Sequence, residues 1–144
     1  MKTNLLTLIL VLLLAARGFS SPSKADPLPL TPQGQPSSVF SEIQNGILNS
    51  NIELLTKHIT EQTYLSLFGV KGYFSVNQSY YILEDFFMGY RPIAFKFTEI
   101  KSESNPYAIG ELLYESKSKR ETAKVYVSLR QQGNEWKIAQ FSVK

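Results

Sequence analysis

The sequence predicts an α+β fold in which three N-terminal helices pack in the concave face of a strongly curved antiparallel sheet. Apolar residues recur at helical spacing between residues 38 and 89, two capping boxes mark helix starts in that stretch, and apolar residues alternate with polar ones after residue 92. Because the strands follow the helices, one sheet face packs on the helices and the other meets water or a second subunit.

The first 20 residues have the pattern of a secretory signal peptide. Lys2 precedes a run at positions 5–16 that is apolar except for one threonine, and the small residues Gly18 and Ser20 follow. This run is shorter than the roughly 20 residues needed to cross a bilayer. We expect cleavage near Ser20, no stable membrane insertion of the mature chain, and a location in a periplasm or outside the cell.

Charge and cysteine content exclude several classes of partner and anchor. The chain has 15 basic and 12 acidic residues, and removing residues 1–20 takes away Lys2 and Arg17, which leaves 13 basic residues and a formal charge of +1. A nearly neutral domain has no electrostatic reason to bind nucleic acid, because phosphate neutralisation dominates that binding. With no cysteine, the chain forms neither a disulfide nor a lipid-modified N-terminal cysteine.

The domain organisation follows from proline content. Residues 21–37 hold five of the seven prolines together with serine, glutamine and glycine, which is typical of an extended linker. The remaining residues, 38–144, are enough for one hydrophobic core and too few for two. We expect a single α+β domain over 38–144.

The first two helices and the first strand have local signals. Apolar spacing predicts a helix after Ser38 that ends at residues 49–51. Ser50 and Glu53 form a capping box for the second helix. The alternating, β-branched and aromatic segment Thr63–Phe68 predicts the first strand.

The third helix has the clearest boundaries. A turn at Gly69–Gly72 precedes Ser75, where Gln78 completes a second capping box, and the helix runs to a stop at Gly89. Its buried stripe is strongly aromatic.

Four alternating segments after this helix predict an antiparallel meander. Gly133 and Asn134 suit a tight hairpin between the last two strands, and Gly110 allows the sheet to bend. For the last strand, the alternation allows two alternative sets of inward-facing residues. These are Trp136 with Ile138, or Ala139 with Phe141 and Val143.

Four segments together resemble a family of small secreted bacterial domains of unknown function with a nuclear transport factor 2-like, or cystatin-like, cone. They are Lys71–Gln78, Ile82–Phe87, Ala108–Gly110 and Lys124–Val127. The resemblance covers residues 38–144 and implies a cone that is often dimeric through the outer sheet face and often encloses a pocket. It implies no activity, because this fold supports isomerases, dehydratases, hydrolases and adaptors. Lys124 replaces an arginine common in the family, which weakens any bidentate anion contact there.

Few residues offer catalytic chemistry. Enzymes with this cone place a carboxylate, histidine or tyrosine in an apolar pocket. We assign no catalytic residue, and the single histidine, His58, is the one candidate, while Asp85 is expected in solvent. No zinc-ligand spacing, phosphate loop or nucleophile turn occurs, so no metal or cofactor is expected.

Two surfaces are candidate binding sites. The residues predicted to line a ligand pocket are His58, Phe95, Phe97 and Tyr114. The residues predicted to form an apolar homodimer surface, in the opposite strand register, are Tyr107, Ile109, Leu113 and Tyr126.

Three functions are compatible with these features. The first is an exported, non-enzymatic domain that binds a small apolar ligand or an envelope protein, because aromatic residues are many and catalytic groups few. The second is a cone-type isomerase or hydrolase that uses His58 with Tyr114. The third is a purely structural dimer whose cone is filled by its own side chains.

Overall fold

The computed structural model describes residues 34–144, which form three helices and a six-stranded sheet. The elements are α1 Pro36–Leu48, α2 Ile52–Thr56, β1 Tyr64–Leu67, β2 Val70–Tyr73, α3 Val76–Gly89, β3 Arg91–Lys101, β4 Tyr107–Ser116, β5 Lys119–Gln132 and β6 Glu135–Val143. The α+β class is confirmed. The predicted signal peptide, 1–20, and residues 21–33 of the predicted linker lie outside the described residues. No helix within 34–144 has the length and hydropathy to span a membrane.

Helix α1 begins at Pro36, ahead of the predicted start after Ser38. Proline suits the first turn of a helix, because its φ angle is helical and the missing N–H has no partner there. The predicted apolar face is buried along its whole length. It consists of Val39, Phe40, Ile43 and Ile47.

The two capping boxes have different outcomes. At α3, the Gln78 amide donates to Ser75 Oγ at 3.1 Å and the Ser75 amide donates to Gln78 Oε1 at 3.0 Å, so this box is confirmed. At α2, the predicted cap Ser50 is wrong. Ser50 has a left-handed φ of 51°, and Asn51 caps the helix instead by accepting from the Leu54 amide at 3.0 Å.

The segment predicted as a turn between Gly69 and Gly72 is mostly strand. Val70–Tyr73 forms β2, which pairs antiparallel with β1 around the two-residue loop Phe68–Gly69. Phe68 has a φ of 40°, a conformation rare for residues other than glycine. The sequence does not predict this hairpin, because its loop has phenylalanine where glycine or asparagine is usual.

The sheet is mixed, which corrects the expectation of a wholly antiparallel one. Strand order is β2-β1-β6-β5-β4-β3, and β1 runs parallel to β6. The predicted meander of β3 to β6 is confirmed, including the two-residue loop Gly133–Asn134. Residues 58–67 return along the free edge of β6, so β1 joins the sheet there.

Strand β6 uses both of its predicted faces. Leu129 pairs with Ile138 but Ser128 pairs with Gln140, so Ala139 is an extra residue in β6. This bulge changes the side-chain phase. Ile138 is therefore buried before it and Phe141 after it, in one continuous core.

A second irregularity lies in β3, opposite Gly110 of β4. The β3–β4 register shifts between Phe97 and Glu99, next to the Phe97–Gly110 pair. A Cβ atom on Gly110 would lie 2.6 Å from the Lys96 carbonyl oxygen and 2.8 Å from a ring atom of Phe95. Only glycine permits this close approach of the two strands.

We predict that Gly110→Ala lowers the free energy of unfolding by about 1 to 3 kcal/mol, because a backbone atom must move to accept the new methyl group. Gly69→Ala is the matched control, since nothing lies within 4 Å of its Cβ position. Urea unfolding followed by circular dichroism measures both. Equal stability of the two variants would show that the strands part easily at Gly110.

Candidate functional site

His58 lies just after α2 and is 6% exposed. Its Nε2 atom is 2.7 Å from Oε2 of Glu42 on α1, and Lys57 Nζ is 3.0 Å from the same oxygen. The hydrogen bonds from Lys57 and then His58 hold the pKa of Glu42 below its ordinary value. The histidine thus faces an ionised carboxylate.

A cavity of about 260 Å³ opens beside this pair. Its far wall comes from the start of β6, where Trp136 is half-buried and Lys137 Nζ lies 2.7 Å from Glu135 Oε2. We call it the tryptophan cavity. It includes His58 but not Phe95, Phe97 or Tyr114.

Phe95 and Phe97 belong to the core. Their ring centroids are 5.0 Å apart, and Phe97 also meets Phe40 of α1 at 5.8 Å, both in edge-to-face geometry. Each of the two strand residues is almost fully buried. Phe97 therefore packs β3 against α1, and Phe95 lies beside it in the same core.

Tyr114 has a protein partner for its buried hydroxyl. The hydroxyl donates to Glu121 Oε2 at 2.9 Å across β4 and β5. Burial, followed by this hydrogen bond, raises the pKa of Tyr114 above its ordinary value, so the phenol stays protonated. Its ring contacts Phe68 and Tyr90, with centroids 5.6 and 5.5 Å away.

An apolar groove of about 350 Å³ lies between the β1–β2 hairpin and α3. We call it the hairpin groove. It is lined by Leu67, Phe68, Gly69 and Val70 on one side and by Ile82, Asp85, Phe86 and Tyr90 on the other. Phe68 anchors it, with ring centroids 4.7 Å from Tyr90 and 5.6 Å from Phe86.

The hairpin groove has one carboxylate in its wall. Asp85 is exposed, as the helical wheel predicts. Its neighbours in the groove are otherwise hydrophobic, aromatic or glycine. The arrangement favours an apolar molecule with at most one positive or hydrogen-bonding group.

The residues predicted for a dimer surface share the outer face of the sheet. The rings of Tyr107 and Tyr126 stack at 6.1 Å, and Ile109 pairs with Tyr126 across β4 and β5. Leu113 lies further along β4. All four are half-buried in the single chain, and Tyr107 also donates to Glu99 at 2.6 Å.

The four predicted pocket residues thus lie in three places. His58 lines the tryptophan cavity, Phe95 and Phe97 lie in the core, and Tyr114 packs behind Phe68 of the hairpin groove. Within residues 34–144, no three His, Asp or Glu side chains are grouped to hold a metal ion.

Three important residues were not predicted from sequence. The sequence gives no signal for Glu42, because it lies on α1, 16 residues before His58. For Trp136 the alternation in β6 predicts only a core position. For Phe68 the sequence predicts only the end of the first strand, because the exposure of its ring follows from the pairing of β1 with β2.

Comparison with known proteins places the fold. The model of a family described as "Domain of unknown function (DUF4783)" matches residues 40–144. A DUF4783 family protein from Bacteroides uniformis has a TM-score of 0.64 at 15% identity, over 72% of this chain and 94% of that one. One from Bacteroides ovatus has 0.62 at 15%, over 72% and 91%.

More distant structures share the same architecture. A ketosteroid isomerase-like protein from Erwinia carotovora atroseptica has a TM-score of 0.60 at 11% identity, over 74% of this chain and 90% of that one. A Nostoc punctiforme protein with a cystatin-like fold has 0.55 at 10%, over 74% and 85%. No curated protein matches the chain. The nuclear transport factor 2-like fold expected from the sequence is therefore confirmed.

We predict that Glu42→Gln lowers the free energy of unfolding at pH 7 by up to about 1 kcal/mol, since Glu42 is 40% exposed and solvent screens its pairs. The pKa of Glu42 is lower in the folded state, so the stabilisation is present above the unfolded pKa and is lost as the pH falls through the folded value. Urea unfolding between pH 7 and pH 3 measures the difference in unfolding free energy between the parent chain and Glu42→Gln.

The matched control for Glu42 is Glu61→Gln, because Glu61 is exposed and has no ion pair within the described residues. This variant should differ little from the parent at any pH. If the deficit of Glu42→Gln grew as the pH fell, the hydrogen bonds from Lys57 and His58 would not be favouring the ionised form.

Proposed function

Since the chain belongs to the DUF4783 family of domains of unknown function, we propose that it is a non-enzymatic binding domain whose hairpin groove takes a small apolar ligand. The observation that carries the proposal is an apolar groove with a partly exposed aromatic residue, Phe68, at its edge. Binding sites for small molecules are typically concave and apolar with few polar groups. The hairpin groove has that composition.

Phe68 supports this role because its position is costly to maintain. Its side chain is 39% exposed, Val70 beside it is 43% exposed, and its backbone φ is 40°. Backbone strain of this kind costs about 1 to 3 kcal/mol and concentrates at functional sites. A ligand in the groove would cover apolar surface that the folded chain leaves in water.

A non-enzymatic role is favoured because His58 and Tyr114, the two residues of the isomerase or hydrolase alternative, are each hydrogen-bonded to a different glutamate. His58 is hydrogen-bonded to Glu42, and Tyr114 is hydrogen-bonded to Glu121. The two side chains line no common cavity among those described. The alternative of an isomerase or hydrolase built on this pair therefore has little geometric support.

The proposed domain is exported and dimeric. Export is supported by the charge, apolar run and small residues of positions 1–20. A homodimer through the outer sheet face is supported by the half-buried tyrosine pair and by Ile109 and Leu113. A second subunit there would leave the hairpin groove open, because the groove lies on the helix side of the sheet.

We predict saturable binding of a neutral apolar dye such as N-phenyl-1-naphthylamine, with Val70→Asp weakening it about tenfold, because the ligand would leave a carboxylate poorly solvated. Fluorescence titration measures the dissociation constant. Val76→Asp is the matched control: Val76 is 42% exposed at the start of α3 and does not line the groove. Absence of saturable binding, or equal loss in both variants, would refute the site.

Native mass spectrometry of the exported chain tests the proposed signal-peptide cleavage and the proposed homodimer. We expect the mass of two chains that each begin at Ser21. Ile109→Lys should give single chains, because it places charge in the proposed interface, whereas Met88→Lys, at a 79% exposed position on α3, should leave the dimer intact. A chain that keeps residues 1–20 contradicts export with cleavage, and a monomeric parent chain contradicts the dimer.

A further inference from the structure

The tryptophan cavity combines an aromatic wall with several charged groups. Its principal residues are Glu42, Lys57, His58, Glu135, Trp136 and Lys137. It is separate from the hairpin groove, with no lining residue in common. The proposed apolar ligand does not account for it.

The charged groups of this cavity cancel one another. Lys57 pairs with Glu42 at 3.0 Å, and Lys137 pairs with Glu135 at 2.7 Å. Lysine lowers the pKa of each carboxyl group, so both stay ionised near neutral pH. The two lysine–carboxylate pairs therefore balance, and His58, the other titratable group of the cavity, is hydrogen-bonded to Glu42 and adds no unpaired charge.

The paired groups still have unused hydrogen-bonding capacity. A carboxylate accepts up to about four hydrogen bonds, and an ammonium donates three. Within the described residues, the only ion pair of Glu135 is with Lys137, and the Glu135 side chain is 62% exposed. Glu42 accepts from Lys57 and His58 at one oxygen, Oε2. The cavity therefore offers donors and acceptors side by side without net charge.

Trp136 is the aromatic lining residue of the cavity, where it is half-buried and packs in part against the core. An indole presents a wide ring face, so it contacts an apolar surface while neighbouring groups remain polar. The cavity volume of about 260 Å³ is slightly below the usual range for drug-sized ligands, so it suits a single ring. A ring with C–H groups on one face and hydroxyl groups at its edge matches both the indole and the paired charged groups.

We infer that the tryptophan cavity binds a neutral, hydroxyl-rich ring, the chemistry of one monosaccharide unit. The C–H face of the ring packs on Trp136, and its hydroxyl groups donate to Glu135 and Glu42 and accept from Lys57 and Lys137. Hydrogen bonds from Lys57 and His58 hold the Glu42 carboxylate at the cavity. The site is independent of the hairpin groove.

The chain contains one tryptophan, so its fluorescence reports this cavity. We expect glucose, galactose, mannose or N-acetylglucosamine to give a saturable emission change with a millimolar dissociation constant in the full-length chain. Glu135→Gln should weaken binding about tenfold by removing charge-assisted hydrogen bonds. Glu111→Gln on the outer face of β4 is the matched control and should bind like the parent.

Saturation-transfer NMR with the same sugars checks binding without relying on emission, and circular dichroism checks that each variant is folded. Signals from the sugar C–H groups that disappear in Trp136→Leu but persist in Glu111→Gln support stacking on the indole. The inference is overturned if none of the four sugars binds the folded parent chain, or if Glu135→Gln and Glu111→Gln bind equally well. It is also overturned if citrate or spermidine binds more tightly than every sugar.

Discussion

The hydrogen bonding of one strand edge, that of β6, organises the molecule. The Ile138 amide donates to the His58 carbonyl at 2.8 Å, and the Ile138 carbonyl accepts from Thr63 Oγ1 at 2.6 Å. The parallel ladder of β1 with β6 continues directly from these bonds. Thr63 is fully buried, so an unmade bond here would leave polar groups without water, at a cost of about 1 to 3 kcal/mol for each group. The segment from His58 to Leu67 is held in register by that requirement.

Both candidate cavities depend on this segment. At its beginning, His58 reaches Glu42 of α1 and closes one wall of the tryptophan cavity. At its end, the chain turns at Phe68 and places the β1–β2 hairpin against α3. The polar and the apolar cavity are thus set by the two ends of one segment, because the edge of β6 fixes what lies between them. Their chemistry differs since charged side chains surround the first end and aromatic rings the second.

Two irregularities in the β3–β6 meander determine which side chains lie in the core and which lie on the outer face of the sheet. The bulge at Ala139 changes the phase of β6, so Ile138 and Phe141 face the same core although they are three positions apart. Gly110 lets β3 approach β4 closely beside Phe95 and Phe97, and Phe97 packs against Phe40 of α1. The opposite register carries the stacked tyrosines of the outer face. Because strand side chains alternate, the same irregularities that complete the core also set the composition of that outer face.

The sequence alone determined the features that depend on neighbouring residues: the buried face of α1, the Ser75 capping box, the meander and the outward register of Tyr107 and Tyr126. Apolar period, caps and turn residues act over a few positions, so they can be recognised locally. Tertiary structure decided the parallel pairing of β1 with β6, the partnership of Glu42 with His58, and the separation of His58 from Tyr114. These depend on which distant segments meet, and that choice is made by the free edge of β6 and the packing of the helices on the sheet, which no local pattern encodes.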